Sequence, residues 1–467
     1  MKEPVPLRPW RGLVVFNEVG RRKLAVDAED ALFQKDRGVD DSFPHFVLKT
    51  EPVAGTPLVA RNTNIRVEFS KSMAYQTLNS ANIQVAGSAS GSHTGVFSYD
   101  GNATSFTLNP DVDFSPGETV TVSVLRNVLA QDGSAMPSDY LFSFRVLSSQ
   151  PVPIQVGGTL SSDTVWTAGN VYLITSDVTV PAGRTLTVEG GVVVKFTAVQ
   201  GSGYRRLIHV DGTLNLLSSA GQKVVFTSCL DDTYGGDSNG DGAASGPAAG
   251  DWGCLRYNNS ANVLHDAVVR HGGRQMNSDY GWRDIDTQMV WVMAAGAATF
   301  ELRNCTLEKA YDKVIYNTSP QAAWVHHNTI SGSGIGGTGV SGSVATVQAN
   351  AFSGLSYAVN LDGVSTVERN TISGCDWAVY LSGGGSSVVR DNVLTGNNNL
   401  FYQGPGSPAY SGNVLGSGNR ARFIGVGGAL GQNVTWGNAQ GLNLPYHVIS
   451  DVTVPAGRTL TVEGGVV

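Results

Sequence analysis

The spacing of apolar residues along this chain changes character twice. From Glu51 to Val146 it is two: Ile65, Val67 and Phe69 alternate with polar residues in "IRVEFS", and Val120, Val122 and Val124 do so in "TVTVSV". Tyr140, Phe142, Phe144 and Val146 repeat the pattern in "YLFSFRV". Residues two apart share one face of a strand, so each segment predicts a strand with one buried side. "YDGN", "FSPGE" and "AQDG" between them are turn sequences. About seven short strands in such a stretch predict a β-sandwich, taken as residues 49–147. The charged segment 1–48 before it has Leu24, Ala28 and Leu32 at helical spacing, which predicts a short helix. The stretch 148–158, "SSQPVPIQVGG", reads as a linker.

Beyond the linker a longer period takes over. The segments beginning at Cys305, Asn328, Asn350, Asn370, Asn392, Asn413 and Asn433 lie 20 to 23 residues apart. Two residues into each come Leu307, Ile330, Phe352, Ile372, Leu394 and Leu415, with Thr435 the exception. Such a period, carried by short β-branched runs and Gly/Ser turns, predicts a parallel β-helix with one repeat per coil. A leucine-rich repeat has a similar period but requires several leucines and a helical or extended return in each unit. Stacked at ~4.8 Å, the ten or so coils expected between Ser176 and His447 make a rod on the order of 50 Å long. The Asn column at 328, 350, 370, 392, 413 and 433 reads as structural, because Asn tolerates left-handed turns and its amide can bond the next coil. Cys305 occupies the same slot.

The eighteen residues "SDVTVPAGRTLTVEGGVV" occur twice, at 176–193 and at 450–467. The first copy opens the rod and continues into "VKFTAVQ". The second is expected to start a further unit of the same kind, so 448–467 reads as the truncated start of a second β-helix and the chain as a fragment. The fold class is therefore all-β, a β-sandwich over 49–147 plus a parallel β-helix over 159–447.

Composition narrows the function classes. Fifty-eight glycines in 467 residues suit tight turns between short strands. A net charge of -7, with no basic run longer than "GRRK", leaves nothing to track a phosphate backbone, so nucleic acid is not expected as a partner. No stretch of eighteen apolar residues is present to span a membrane, and the first residues lack the apolar core of a signal peptide. The four cysteines, Cys229, Cys254, Cys305 and Cys375, show neither a CxxC pair nor zinc-finger spacing. They read as buried thiols, with a Cys229–Cys254 bridge as the other possibility.

Two resemblances follow from particular stretches. "VEFSKSM", "SFTLNPDVDFSPGETVTVSV", "LAQDGS" and "FSFRV", in that order, resemble the bacterial Ig-like modules of S-layer and other surface proteins. "VTVPAGRTLTVEGGVVVKF", "RRLIHVDGTLNLL" and "GQKVVFTS", followed by the Asn-led coils, resemble the right-handed β-helix of secreted bacterial surface proteins and, more distantly, of pectate-lyase-like enzymes. The resemblance implies an extracellular or cell-surface protein without catalysis, in which a stiff rod presents loops to carbohydrate or another surface ligand. A polysaccharide lyase or glycoside hydrolase working in a groove of the rod is the alternative it implies.

Three places could carry chemistry. In "DSNGDG", Asp237, Asn239, Asp241 and Gly242 have the oxygen spacing of a calcium loop, with Asp231, Asp232 or Asp251 able to add charge. Position twelve of that loop is Ala248 where a bidentate Glu would be needed, so a plain Asp/Asn/Gly turn is the competing reading. The insertion "GGRQMNSDYGWRDIDTQMVWV" brings Tyr280, Trp282, Arg283 and Trp291 together with Arg274, Asp279, Asp284 and Asp286. This mix can stack on sugars and bond their hydroxyls, or can simply pack on itself. Catalysis would need paired acids or an acid–base set. Arg205, Arg206, His209, His265 and His271 are scattered, and no catalytic constellation is expected.

Overall fold

The computed structural model describes residues 45–198, 204–277, 283–293, 298–332, 337–383 and 385–466, with two short strands before them. Those strands, Val14–Phe16 and Arg22–Leu24, pair antiparallel. Leu24 is thus in a strand, and the rest of the expected N-terminal helix lies outside the described residues.

Period two becomes a sandwich for the reason given by its alternation. Val47–Glu51, Ile65–Phe69, Ser105–Pro110 and Gly95–Tyr99 form one four-stranded antiparallel sheet. Tyr140–Arg145, Thr119–Val124, Ile83–Gly87 and Gly91–His93 form the other. Ile65, Val67, Phe69, Val120, Val122, Val124, Phe142 and Phe144 are all buried between them.

From Ile154 onward the chain winds as a solenoid of about 13 turns, more than the ten expected because strands are already stacked before Ser176. At ~4.8 Å a turn this is a rod of about 60 Å. Each middle coil has three strands, and like strands stack in parallel into three faces. Face A contains Leu255–Tyr257, Gln288–Val292, Lys313–Asn317, Thr338–Gly342, Tyr357–Leu361, Trp377–Leu381 and Asn399–Tyr402. Face B contains Val193–Phe196, Val224–Ser228, Ala267–Arg270, Thr306–Glu308, Thr329–Ser331 and their successors. Face C contains Val263–His265, Glu301–Arg303, Ala323–His326, Ala345–Gln348, Thr366–Glu368, Val388–Arg390 and Ala409–Ser411. Inward residues make one column each, such as Val290, Ile315, Val340, Val359, Val379 and Phe401, all buried. The stretch read as a linker is shorter than expected, since Ile154–Thr159 is already the first strand of the rod and pairs with Val171–Val180.

The sandwich is not held at a distance. It lies against face B, where the outward residues of the first coils are Val193, Val225 and Val268, and these join Val171 and Tyr234 in the sandwich's own core. Further along the same column stand Thr306, buried beside the sandwich, and then the partly exposed Thr329, Ala351 and Thr371. Burying each of those valines contributes roughly 1.5 kcal/mol or more. Backbone bonds knit the seam: Ala60 N–H donates to Thr233 O, Gly235 N–H to Leu58 O and Lys223 N–H to Gly55 O. Gly55, at φ 76°, has Ala220 O where a Cβ would sit, so the seam admits no side chain there.

The Asn column is a continuous buried ladder. Asn328 Nδ2 donates to Asn350 Oδ1, Asn350 to Asn370, Asn370 to Asn392 and Asn392 to Asn413. Its last rung differs from expectation: Asn413 donates to Gln440 Oε1, while Asn433 lies elsewhere and accepts the Thr459 N–H. The left-handed residue is also not the Asn but the one before it, at His327, Ala349, Arg369 and Asp391, with φ from 54° to 57°. The Asn amide instead satisfies carbonyls of the turn, as Asn350 Nδ2 does for Val325 O and Gln348 O. Cys305 starts this ladder by donating its N–H to Asn328 Oδ1, and Cys375 starts a second one through Asn397 and Asn419. All four cysteines are buried, and none forms a disulfide.

The repeated eighteen residues belong to a longer duplication that the strand pairing brings out. "IQVGGTL" at Ile154 and "IGVGGAL" at Ile424 both pair with the strand of their own copy through the same register break, between Val156 and Gly158 and between Val426 and Gly428. Trp166 stacks on Tyr172 at 5.0 Å, and Trp436 on Tyr446 at 5.3 Å. The second unit therefore begins near Ile424, earlier than the expected 448. It stacks directly on the rod, because Ile424 pairs with Phe401 on one side and Tyr446 on the other. Tyr172 continues into face B whereas Tyr446 continues face A, so the second copy is turned one face around the axis.

Candidate functional site

Face A carries two outward columns that the stacking assembles from distant residues. The first runs Arg256, Trp291, Tyr316, Ser341, Asn360, Tyr380 and Tyr402. The second runs Lys313, Thr338, Tyr357, Trp377 and Asn399. From Trp291 to Tyr402 is five coils, about 24 Å at ~4.8 Å a coil. The parallel register holds each ring one coil from the next, so the strip is set by backbone pairing and not by loop conformation.

The rings contact one another along the strip. Trp291 and Tyr316 stack at 6.5 Å between centroids, with the Arg256 guanidinium 4.9 Å above Trp291 and the Lys313 ammonium 5.6 Å from Tyr316. Tyr380 and Tyr402 are parallel at 4.1 Å. Trp377 meets Tyr380 edge-on at 5.5 Å, and Tyr402 and Phe423 at 6.1 and 6.2 Å. Burial and the neighbouring Tyr402 push the Tyr380 phenol up to about 12, so it stays a neutral donor. Between the two aromatic groups lie Ser341, buried with its hydroxyl donating to Ile315 O, and the partly exposed Asn360, both uncharged. Neither column holds a carboxylate from Thr338 to Tyr402. Chemically the strip offers partly exposed rings at Trp291, Tyr316, Tyr357, Trp377 and Tyr380, with Tyr402 buried beneath Tyr380 and with Arg256 and Lys313 at one end.

Of the residues singled out in the insertion, Trp291 is in this strip. Tyr280 and Trp282 lie outside the described residues. Arg283 belongs to the strand Arg283–Asp286, which pairs antiparallel with Gln275–Asn277 as a hairpin, and its side chain is likewise outside the description. Arg274 sits over the Tyr311 ring at 4.6 Å.

The five residues expected around a cation are divided among three surroundings. The Asp237 carboxylate is taken up by its own loop, accepting from Gly240 and Gly242 N–H at 2.7 and 2.8 Å. Asp241 accepts from Ser245 Oγ, and Asn239 donates to the same hydroxyl. Asp251 caps a turn at Ala248 N–H. Asp231 is wholly buried beneath the sandwich and accepts from Thr227 Oγ1. Below the loop the buried Lys195 ammonium donates to Gly236 O. Among the described residues no three His, Cys, Asp or Glu side chains converge in a metal-holding group.

The scattered cations and imidazoles separate in the same way. Arg205 donates to Gly250 O, and His265 pairs with Asp266 at 3.0 Å. His271 is buried in an ion network at the seam with the sandwich, which sequence reasoning missed. Arg270 sits at its centre, 3.6 Å from Asp231, 3.2 Å from Glu308 and 2.7 Å from Glu51 of the sandwich, while Lys49 also reaches Glu308. Burial would raise the Asp231 carboxyl, but Arg270 and His271 outweigh it and hold it at about 2. Burial, reinforced by Arg270, depresses His271 to about 3, so its imidazole is neutral. These groups fasten two domains, and none faces a cleft beside the aromatic strip.

Family comparison fits this architecture. The model of the bacterial Ig-like domain matches residues 41–146, and that of the right-handed beta helix region matches residues 285–425. No curated protein matches the chain. Among solved structures, native E. coli alpha-2-macroglobulin is similar at 17% identity over 26% of this chain and 7% of its own, with a TM-score of 0.19. Surface layer protein SbsC, domains 1–6, is similar at 14% identity over 26% of this chain and 16% of its own, TM-score 0.19. The chain thus spans well under a fifth of either. A family 28 exopolygalacturonase of Yersinia enterocolitica is similar at 11% identity over 90% of this chain and 86% of its own, TM-score 0.25.

Proposed function

We propose that this chain, in which a bacterial Ig-like domain is followed by a right-handed β-helix, is a non-catalytic extracellular or cell-surface module that binds glycan chains along face A. The observation that carries the reading is the ordered strip from Trp291 to Tyr402. Two stacked aromatic pairs, Trp291–Tyr316 and Tyr380–Tyr402, stand there in register with Asn360 between them and Tyr357 and Trp377 alongside, which suits an extended polymer of rings better than a small molecule. Hydrolysis needs an acid and a base on either side of the bond, with carboxyls roughly 5 to 9.5 Å apart. The strip offers rings and amides where such a pair would stand. Many weak stacking contacts on a stiff rod favour avidity for a surface over turnover of a substrate.

The reading is tested by titrating neutral and acidic polysaccharides into the full chain and analysing the mixture for new ends. Binding without new reducing or unsaturated ends is the expected result. Trp377→Ala and Trp291→Ala should each weaken binding by about tenfold, corresponding to ~1.4 kcal/mol for a lost stacking contact. Release of oligosaccharides, or binding untouched by both substitutions, would overturn it.

A further inference from the structure

A cavity of about 380 Å³ lies where the sandwich meets the turns between faces B and C. Leu48, Val53 and Ala54 of the sandwich give it an apolar wall, and Lys223, Thr306 and Thr329 of the rod give it a polar one. Its volume falls within the range of small-molecule sites, and a junction between domains is where such sites concentrate.

Of the cations lining it, Lys223 forms no ion pair with a carboxylate among the described residues, Asp266 of the same lining being near it but held by other partners. Lys49 is ion-paired with Glu308. Asp266 is held by His265 at 3.0 Å and by Arg303 at 3.8 Å. Lys223 is nine-tenths buried, and its ammonium donates to Asn304 O at 2.9 Å. An ammonium has three N–H donors, and a buried cation is costly without a counter-charge. Lys223 therefore brings to the cavity an ammonium with donors to spare, across from the apolar wall of Leu48, Val53 and Ala54.

We propose that this cavity binds a small monocarboxylate of about monosaccharide size, its carboxylate on Lys223 Nζ and its body between Leu48 and Val53. A monoanion balances one ammonium. A dianion such as phosphate would add a second negative charge close to Asp266. Hydroxyls on the ligand would meet Thr306 and Thr329 at the polar wall. Because its walls come from both domains, an occupant also stabilises the docked arrangement in proportion to its concentration over Kd.

Calorimetry and thermal unfolding of the full chain with glucuronate, glucose and inorganic phosphate test the site. Glucuronate is expected to bind and to raise Tm, while glucose and phosphate do neither. Lys223→Met keeps the stem and removes the charge, and should weaken glucuronate at least tenfold. Ala54→Leu fills the slot without altering charge, and should do the same should the methionine variant not fold. Trp377→Ala on face A should bind glucuronate as the wild type does, which separates this site from the glycan strip. No binding of glucuronate by the wild type, equal binding by a folded Lys223→Met, or phosphate binding as tightly as glucuronate would overturn the proposal.

Discussion

At the scale of single residues, the buried Asn ladder shows how one side chain can serve two coils. Asn370 Oδ1 accepts both the N–H and the amide of Asn350, and its Nδ2 donates to Val347 O and Asn392 Oδ1. Asn370→Ala strands buried donors and acceptors on both sides, so a loss of about 2–4 kcal/mol is expected in denaturant unfolding. Asn433→Ala, off the ladder, should change stability by about 0.5 kcal/mol or less. The Asn column itself was legible from spacing. Its last rung was not, because Gln440 reaches the slot with a longer side chain from a different place in the repeat. Nor was the position of the left-handed residue legible, since His327, Ala349, Arg369 and Asp391 have nothing in common but their place in the turn.

At the scale of strands, the inward columns announced themselves and the outward ones did not. An inward column repeats one kind of residue because the core demands it, whereas an outward column is free to vary and carries function in the differences. Tyr316, Tyr380 and Tyr402 stand 12, 12 and 11 residues ahead of Asn328, Asn392 and Asn413. Projecting that offset from the ladder would have found these three tyrosines, but not Asn360 or Trp291, whose turns differ in length. The outward valines of face B were hidden in the same way, since "VVVKF" and "KVVFTS" read equally as core. Val225 lies in the middle of the valine patch under the sandwich, with Val193 and Val268 beside it in register. Val225→Asp places a carboxylate in that shared core and should cost roughly 3 kcal/mol or more. Thr371→Asp, at the same height of the strand several coils on, should be near neutral. Comparing urea midpoints of the two variants checks this, and limited proteolysis should then cut the sandwich of the first variant preferentially.

At the scale of the whole molecule, the sandwich and the first coils share one core and one ion network, so their stability should respond to pH together. His271 has its pKa lowered from 6.5 to about 3 by burial and by Arg270, with Lys309 adding to the effect and Asp231 and Glu308 opposing it. His45, in the sandwich, is lowered to about 4, chiefly by burial. Between these values and 6.5 the unfolded chain binds a proton that the folded chain refuses, so stability falls as pH drops through that window. Asp231 acts lower down: its pKa is depressed from 3.8 to about 2, so its contribution is complete above 3.8 and is lost as pH falls toward 2. Unfolding followed from pH 7.5 to 3.5 should therefore lose several kcal/mol, most of it below pH 6. His271→Gln keeps an acceptor for the Arg270 Nε–H, which donates to His271 Nε2 at 3.1 Å, and removes the titration. Its stability should decline less steeply over the same range, and a slope identical to that of the wild type would show that the seam does not govern acid stability.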